Sequence, residues 1–261
     1  MENIFNVEIP AISTTQTIID IVEAHNATLF CPTQNLPNAV GQTSIFIAEN
    51  FHAFYPFLNC LRKTVDHETK SVLSDFCFVA NNSAEYESTW ALIRALTPFG
   101  FFSSFKSCAA QKCFQGRIAD FPKYTRFICG DFAEYAANVI VQTSIDQLSI
   151  DNTQVLRNVH ITSANGNMHE IDLLVCRNDG RLLAIEVKSG FKCCPEQIIH
   201  AIAPIADSTD KLLFSLLSSD EEAEAIRFFS GIPVVNNISA FSSFITSWLS
   251  ASASKAFSMA A

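Results

Sequence analysis

The chain has 261 residues, of which 49% are hydrophobic and 16% charged, and a formal net charge of -9. Such a composition excludes a disordered or low-complexity chain, and the acidic surplus excludes a protein that coats nucleic acid by overall charge. An enzyme working through a local basic strip and metal ions remains open.

The length suits two domains. Residues 1–60 contain acids only, namely Glu2, Glu8, Asp20, Glu23 and Glu49. No apolar run is long enough to cross a bilayer, and the N-terminal stretch lacks the basic region of a secretory signal, so a cytoplasmic protein is expected. Within residues 1–125, Ile18 to Ala24 and Phe51 to Arg62 read as helices, Thr28 to Cys31 and Ser44 to Ala48 as short strands, and Ser83 to Leu96 as a helix stopped by Pro98 to Gly100. These elements predict a smaller N-terminal α+β domain, with the last helix and the segment behind it suiting a winged-helix-like module.

Residues 101–126 carry Lys106, Lys112, Arg117, Lys123 and Arg126 against Asp120 alone, five bases minus one acid, or +4. Interleaved are Phe101, Phe102, Phe105, Phe114, Phe121 and Tyr124, a mixture that can follow a phosphate backbone and makes the five bases candidate nucleic-acid contacts. The competing reading is a connecting segment with core aromatics and solvated bases. Cys108 and Cys113 have the spacing of a metal pair but no second pair downstream. The nine cysteines are irregularly spaced, with Cys193 and Cys194 adjacent, so they are expected to be reduced and mostly small core residues.

From 126 to 250 the pattern sharpens into a helix at 131–142, strands at 154–162, 169–176 and 181–188, a helix at 195–206, a strand at 211–215, and helices near 220–230 and 238–249. The order αβββαβα predicts an α/β fold, a mixed sheet flanked by helices. Residues 251–261 read as a frayed tail.

The chemistry concentrates in Met168 to Val175, Asn178-Asp179-Gly180, and Arg181 to Gly190, which read as a hairpin. Alternation puts Glu186 and Lys188 on one face of their strand, and Glu170 and Asp172 on one face of the other. A three-residue loop at Asn178 to Gly180 pairs Arg177 with Arg181 and sets Asp172 opposite Glu186; a two-residue loop sends the carboxylates to different faces. Carboxylates at the ends of such apolar strands are costly unless something offsets their charge. Asp172, Glu186 and the Val187 carbonyl form a hard-oxygen set suited to Mg²⁺ or Mn²⁺, and Lys188 beside them can orient water or stabilise charge on a phosphate. The alternative is an ion-pair cluster at the sheet rim.

Glu134, three residues after Asp131, reads either as part of a capping box or as a further acidic ligand. Gln197 could reach the scissile phosphate. His160 and His169 read as supporting or packing residues.

At Gly130 to Tyr135, Asn158-Val159, His169 to Asp172 and Ile185 to Gly190 the chain resembles PD-(D/E)xK nucleases, restriction-endonuclease-like in fold. It resembles especially the C-terminal nuclease domain of the CRISPR-ancillary, cyclic-oligoadenylate-activated nuclease family. The resemblance covers about residues 125–250. It implies divalent-metal-dependent cleavage of phosphodiester bonds in DNA or RNA, with roles for Glu134, Glu170, Asp172, Glu186 and Lys188; His169 stands where the family has Asn. The N-terminal half departs from the family's nucleotide-sensing domain and gives no support to activation by cyclic oligoadenylate. Cutting both strands of a duplex together would need two sites, which points to a homodimer. The rival expectation is a catalytically silent nucleic-acid-binding or scaffolding protein on the same fold.

Overall fold

A computed structural model describes residues 28–30, 38–66, 68–162, 168–190 and 209–251. The chain forms two compact units, one of residues 38–136 and the other holding residues 137–261 together with the strand at 28–30; the boundary falls inside a helix.

In the first unit, α1 (Asn38–Glu49) and α2 (Phe51–Arg62) precede β2 (Phe76–Val79), α3 (Ser83–Leu96), β3 (Phe102–Cys108), β4 (Cys113–Ile118) and the short α4 (Pro122–Arg126). The strand expected at Ser44 to Ala48 is instead the second half of α1. Its apolar run fits either period, but Gly41, Ser44, Ile47 and Ala48 are buried at helical spacing, and the Ser44 hydroxyl donates to the Val40 carbonyl at 2.8 Å. Helices α2 and α3 were legible, and α3 is capped by the Asn82 side chain accepting the Glu85 N–H at 2.9 Å.

The segment read as a connector is in fact a β-hairpin. Strands β2, β3 and β4 form an antiparallel sheet in the order β2-β4-β3. Phe57, Phe76, Phe78, Phe101 and Phe114 are buried there, so these rings are core and unavailable for stacking on bases. β3 escapes a period-2 reading because Ser103, Ser104, Lys106 and Ser107 are all exposed and a bulge interrupts it between Phe102 and Ser104. Gly116 lies so close to β3 that a Cβ there would collide with the Ser104 carbonyl oxygen. Of the described cysteines, Cys113 and Cys176 are buried while Cys60, Cys77, Cys108 and Cys129 are partly or fully exposed; all six are free thiols, so the core reading holds for two of them. Cys108 and Cys113 face each other across the hairpin.

The second unit is a six-stranded mixed sheet in the order β1-β5-β6-β7-β8-β9, built from β1 (Thr28–Phe30), β5 (Gln154–Thr162), β6 (Met168–Cys176), β7 (Leu182–Lys188), β8 (Thr209–Ser215) and β9 (Val234–Val235). The first four are antiparallel neighbours; β7, β8 and β9 run parallel. Strand β1, expected in the N-terminal domain, joins this sheet by pairing with β5. Helices α5 (Phe132–Leu148), α6 (Asp220–Ser230) and α7 (Ile238–Ser250) complete it. A Ser219/Glu222 capping box starts α6, and Gly231, at φ 69°, ends it. Leu156, Leu174, Cys176, Leu182, Ala184, Leu213 and Ile232 form one buried cluster, and Phe241, Ile245, Trp248 and Leu249 bury one face of α7. The expected helices at 18–24 and 195–206, with Gln197, lie outside the described residues.

Candidate active site

The β6–β7 hairpin closes with the three-residue loop. The Arg177 N–H donates to the Arg181 carbonyl at 2.9 Å, the Gly180 N–H donates to the Arg177 carbonyl at 3.0 Å, and Gly180 takes φ 81°. The loop is tied down on several sides. The Arg177 guanidinium, buried at 8% exposure, donates to the Trp248 and Ala251 carbonyls and to Asp179, while Arg181 and the Trp248 indole N–H both donate to Asp210. This fixes the register at Cys176 with Leu182 through Leu173 with Ile185, and continuing it one step sets Asp172 against Glu186.

The ladder stops at that step. The Arg177 N–H bonds the Arg181 carbonyl, and pairs of this bonded kind recur every second residue, so Leu173 with Ile185 is one of them and the Val187 N–H would next meet the Ile171 carbonyl. It donates instead to Oδ2 of Asp172, at 2.7 Å. The two strands therefore open where the carboxylates sit, and the Val187 carbonyl lies on the opened edge. Glu186 and Lys188 share a face as expected, and Lys188 Nζ pairs with Oε1 of Glu186 and stands 4.0 Å from Oδ2 of Asp172.

Burial sets the electrostatics. The Asp172 side chain is 11% exposed and that of Glu186 12%. Burial pushes the Asp172 carboxyl up to about 7, with Glu186 and then Glu170 adding repulsion while Lys188 and the Val187 N–H pull the other way. Burial also raises Glu186 above the usual carboxylate range against the pull of Lys188. Glu170 is exposed on β6 and faces His160 in register.

Glu134 lies in the first turn of α5. The capping box expected there is absent, because Asp131 is not a cap: it belongs to a wide helical turn, Phe127–Asp131, that runs into α5, and its carboxylate accepts from Arg126 at 3.3 Å. Arg126 is held in its charged form chiefly by Asp131, with Tyr135 and Glu134 acting in the same direction. Among the other bases, Arg117 pairs with Asp75 at 3.1 Å, Lys123 lies over the Phe121 and Tyr124 rings, Lys106 projects from β3 and Lys112 sits in the hairpin turn.

Two polar side chains beside the site were not singled out from sequence. Parallel pairing sets Ser215 against Lys188, and the buried Ser215 hydroxyl accepts from the Ser218 hydroxyl at 2.8 Å. Their only sequence signal is the serine that ends the apolar run Leu212-Leu213-Phe214.

The fold is a mixed α/β fold, and the comparisons with known proteins agree with it. The model of the nuclease-related domain family matches residues 130–199, which span α5 through β7. Two solved structures share the fold. Protein VC1899 from Vibrio cholerae has a TM-score of 0.63 and 16% identity over 89% of this chain and 61% of that one. Can2 from Sulfobacillus thermosulfidooxidans, solved in complex with cyclic tetra-adenylate, has a TM-score of 0.61 and 14% identity over 90% of this chain and 59% of that one. The chain thus spans about three fifths of each. No curated protein matches it. The expected nuclease resemblance holds as a nuclease-related domain over residues 130–199, while the two solved structures bear on the fold alone. Among the described residues no helix is long and apolar enough to cross a membrane.

Proposed function

We propose that the chain is a divalent-metal-dependent nuclease that hydrolyses phosphodiester bonds in DNA or RNA. The observation that carries this reading is the opening of the β6–β7 ladder at Asp172, which leaves two buried carboxylates and the Val187 carbonyl on one edge with Lys188 as their counter-ion. Among the described residues no group of three His, Cys, Asp or Glu side chains is arranged to hold a metal. Two carboxylates and a carbonyl nevertheless fit a hard cation whose remaining positions are filled by water and phosphate oxygens, and the cost of ionising Asp172 in this setting calls for a positive charge.

Asp172, Glu186 and the Val187 carbonyl would hold Mg²⁺ or Mn²⁺, which supplies an acidified water and charge neutralisation at the phosphate. Lys188 would shift its hydrogen bonds from Glu186 to a phosphate oxygen and stabilise the charge that builds there as water attacks and the P–O bond breaks. Glu134 and Glu170 are proposed as supporting acids, and Gln197 as a phosphate contact. Helix α3 with the β3–β4 hairpin supports a winged-helix-like module that meets the nucleic-acid backbone through Lys106, Lys112, Arg117, Lys123 and Arg126. A homodimer in the cytoplasm completes the proposal.

The test is incubation of the purified protein with labelled DNA and RNA in Mn²⁺, beside Lys188→Ala and Asp172→Ala. The parent is expected to cleave, Asp172→Ala to fold without cleaving, and Lys188→Ala to fold and cleave at least about 10²-fold more slowly; cleavage by either variant equal to the parent's would overturn the assignment.

A further inference from the structure

Strand β5 keeps one register with β6 on both sides of a single position. Arg157 faces Leu173 and Val159 faces Ile171, while the pair between them, Asn158 with Asp172, is missing from the ladder. Asn158 has φ 50°. Four other non-glycine residues have positive φ, namely Lys70, Lys112, Ser149 and Asn152, and all lie outside helices and strands; among the described residues Asn158 alone takes this conformation inside a strand. Left-handed backbone is unfavourable for every L residue, least so for Asn and Asp, and is kept within regular structure where the surroundings impose it.

The position of this distortion has a geometric meaning. Because the backbone groups of Leu173 face β7, those of Asp172 face β5, and the residue they would meet there is Asn158. A regular Asn158 would therefore lock the Asp172 main chain into the sheet. On the opposite side the β7 ladder is also open, and the Asp172 carboxylate reaches across the gap to the Val187 N–H at 2.7 Å. Asp172 is thus released from regular pairing on both edges of its strand.

We propose that Asn158 is a positioning residue for Asp172: its left-handed backbone interrupts the β5–β6 ladder at the one residue whose carboxylate must leave its own strand and bridge to Val187. The side-chain amide is not the requirement; the backbone conformation is. The functional consequence rests on the nuclease reading above, whereas the geometric one does not.

The experiment compares the parent with Asn158→Gly, Asn158→Ala and Asn158→Val, which tolerate positive φ in descending order. Two quantities are read: amide exchange at Val187 in metal-free protein, and Mn²⁺ affinity by calorimetry, with cleavage measured alongside. Asn158→Gly is expected to keep Val187 protection and Mn²⁺ affinity within twofold of the parent. Asn158→Ala should lose several-fold in both, and Asn158→Val at least tenfold, with kcat falling and the KM for nucleic acid unchanged. If Asn158→Val does not fold, the order of parent, Gly and Ala decides. Val187 exchange in Asn158→Ala equal to the parent would overturn the proposal, and so would Asn158→Gly behaving like Asn158→Val. A parent that neither binds Mn²⁺ nor cleaves overturns the nuclease reading alone, because Val187 exchange without metal still decides the role of Asn158.

Discussion

The Asp172 carboxylate accepts the Val187 backbone N–H at 2.7 Å, so a side chain of one strand takes the bond that the neighbouring strand would otherwise give to main chain. Removing the charge while keeping the shape separates two effects. An Asn at 172 can still accept from Val187 but carries no buried charge, and burial is what chiefly raises this carboxyl to about 7. Above that pH the parent folds with an ionised, poorly solvated group, so Asp172→Asn is expected to gain about 1–3 kcal/mol in metal-free protein at pH 8. It should lose Mn²⁺ binding and cleavage together. Thermal unfolding in chelator, beside calorimetry, checks both; a loss of stability would show that the Lys188 attraction outweighs burial.

Lys188 gives the complementary case. It stands between Glu186 and Asp172, and its removal leaves two buried carboxylates facing each other. Lys188→Ala is expected to unfold earlier than the parent without metal and to recover on adding Mn²⁺, while cleavage falls by about 10²–10³-fold even at saturating metal, the loss typical of one charge-stabilising donor. Recovery of stability without recovery of rate is the signature to look for in paired melts and single-turnover assays.

The hairpin loop tests register. Gly180 takes φ 81° with open space around its Cα, so Gly180→Val is strained only by backbone and is expected to cost about 1–2 kcal/mol with cleavage retained. Deleting Asn178 instead forces a two-residue loop, which turns Asp172 and Glu186 to opposite faces and should abolish both Mn²⁺ binding and cleavage. Denaturant unfolding and metal titration distinguish the two variants.

That register was legible because Asn178-Asp179-Gly180 separates two apolar runs, Leu173 to Cys176 and Leu182 to Ile185, which leaves few turn geometries. Strands β5 to β8 and helices α6 and α7 were legible for a related reason: long periodic runs with clear stops. Ser44 to Ala48 was misread because five small and apolar residues satisfy either period, and β3 was missed because a bulge and an edge of serines erase alternation. The opening at Asp172 and the backbone of Asn158 left no trace in composition, since they come from how three strands compete for the same hydrogen bonds.

The five bases of the first unit should not contribute equally to nucleic-acid binding. Arg117 is committed to Asp75 and to the Val72 carbonyl, and Arg126 to Asp131, so their charges are partly compensated before any phosphate arrives. Lys106, exposed on the edge strand β3, and Lys112, in the β3–β4 turn, form no ion pair among the described residues. Lys106→Ala and Lys112→Ala are each expected to weaken binding several-fold and to lower the slope of log affinity against log salt by roughly one contact. Arg117→Ala should change the salt slope less and lower the melting temperature, because it also removes the tie to Val72. Fluorescence anisotropy over a salt series in chelator, in an Asp172→Ala background, measures the slopes; equal slopes with and without either lysine substitution would move the nucleic-acid contact away from this hairpin.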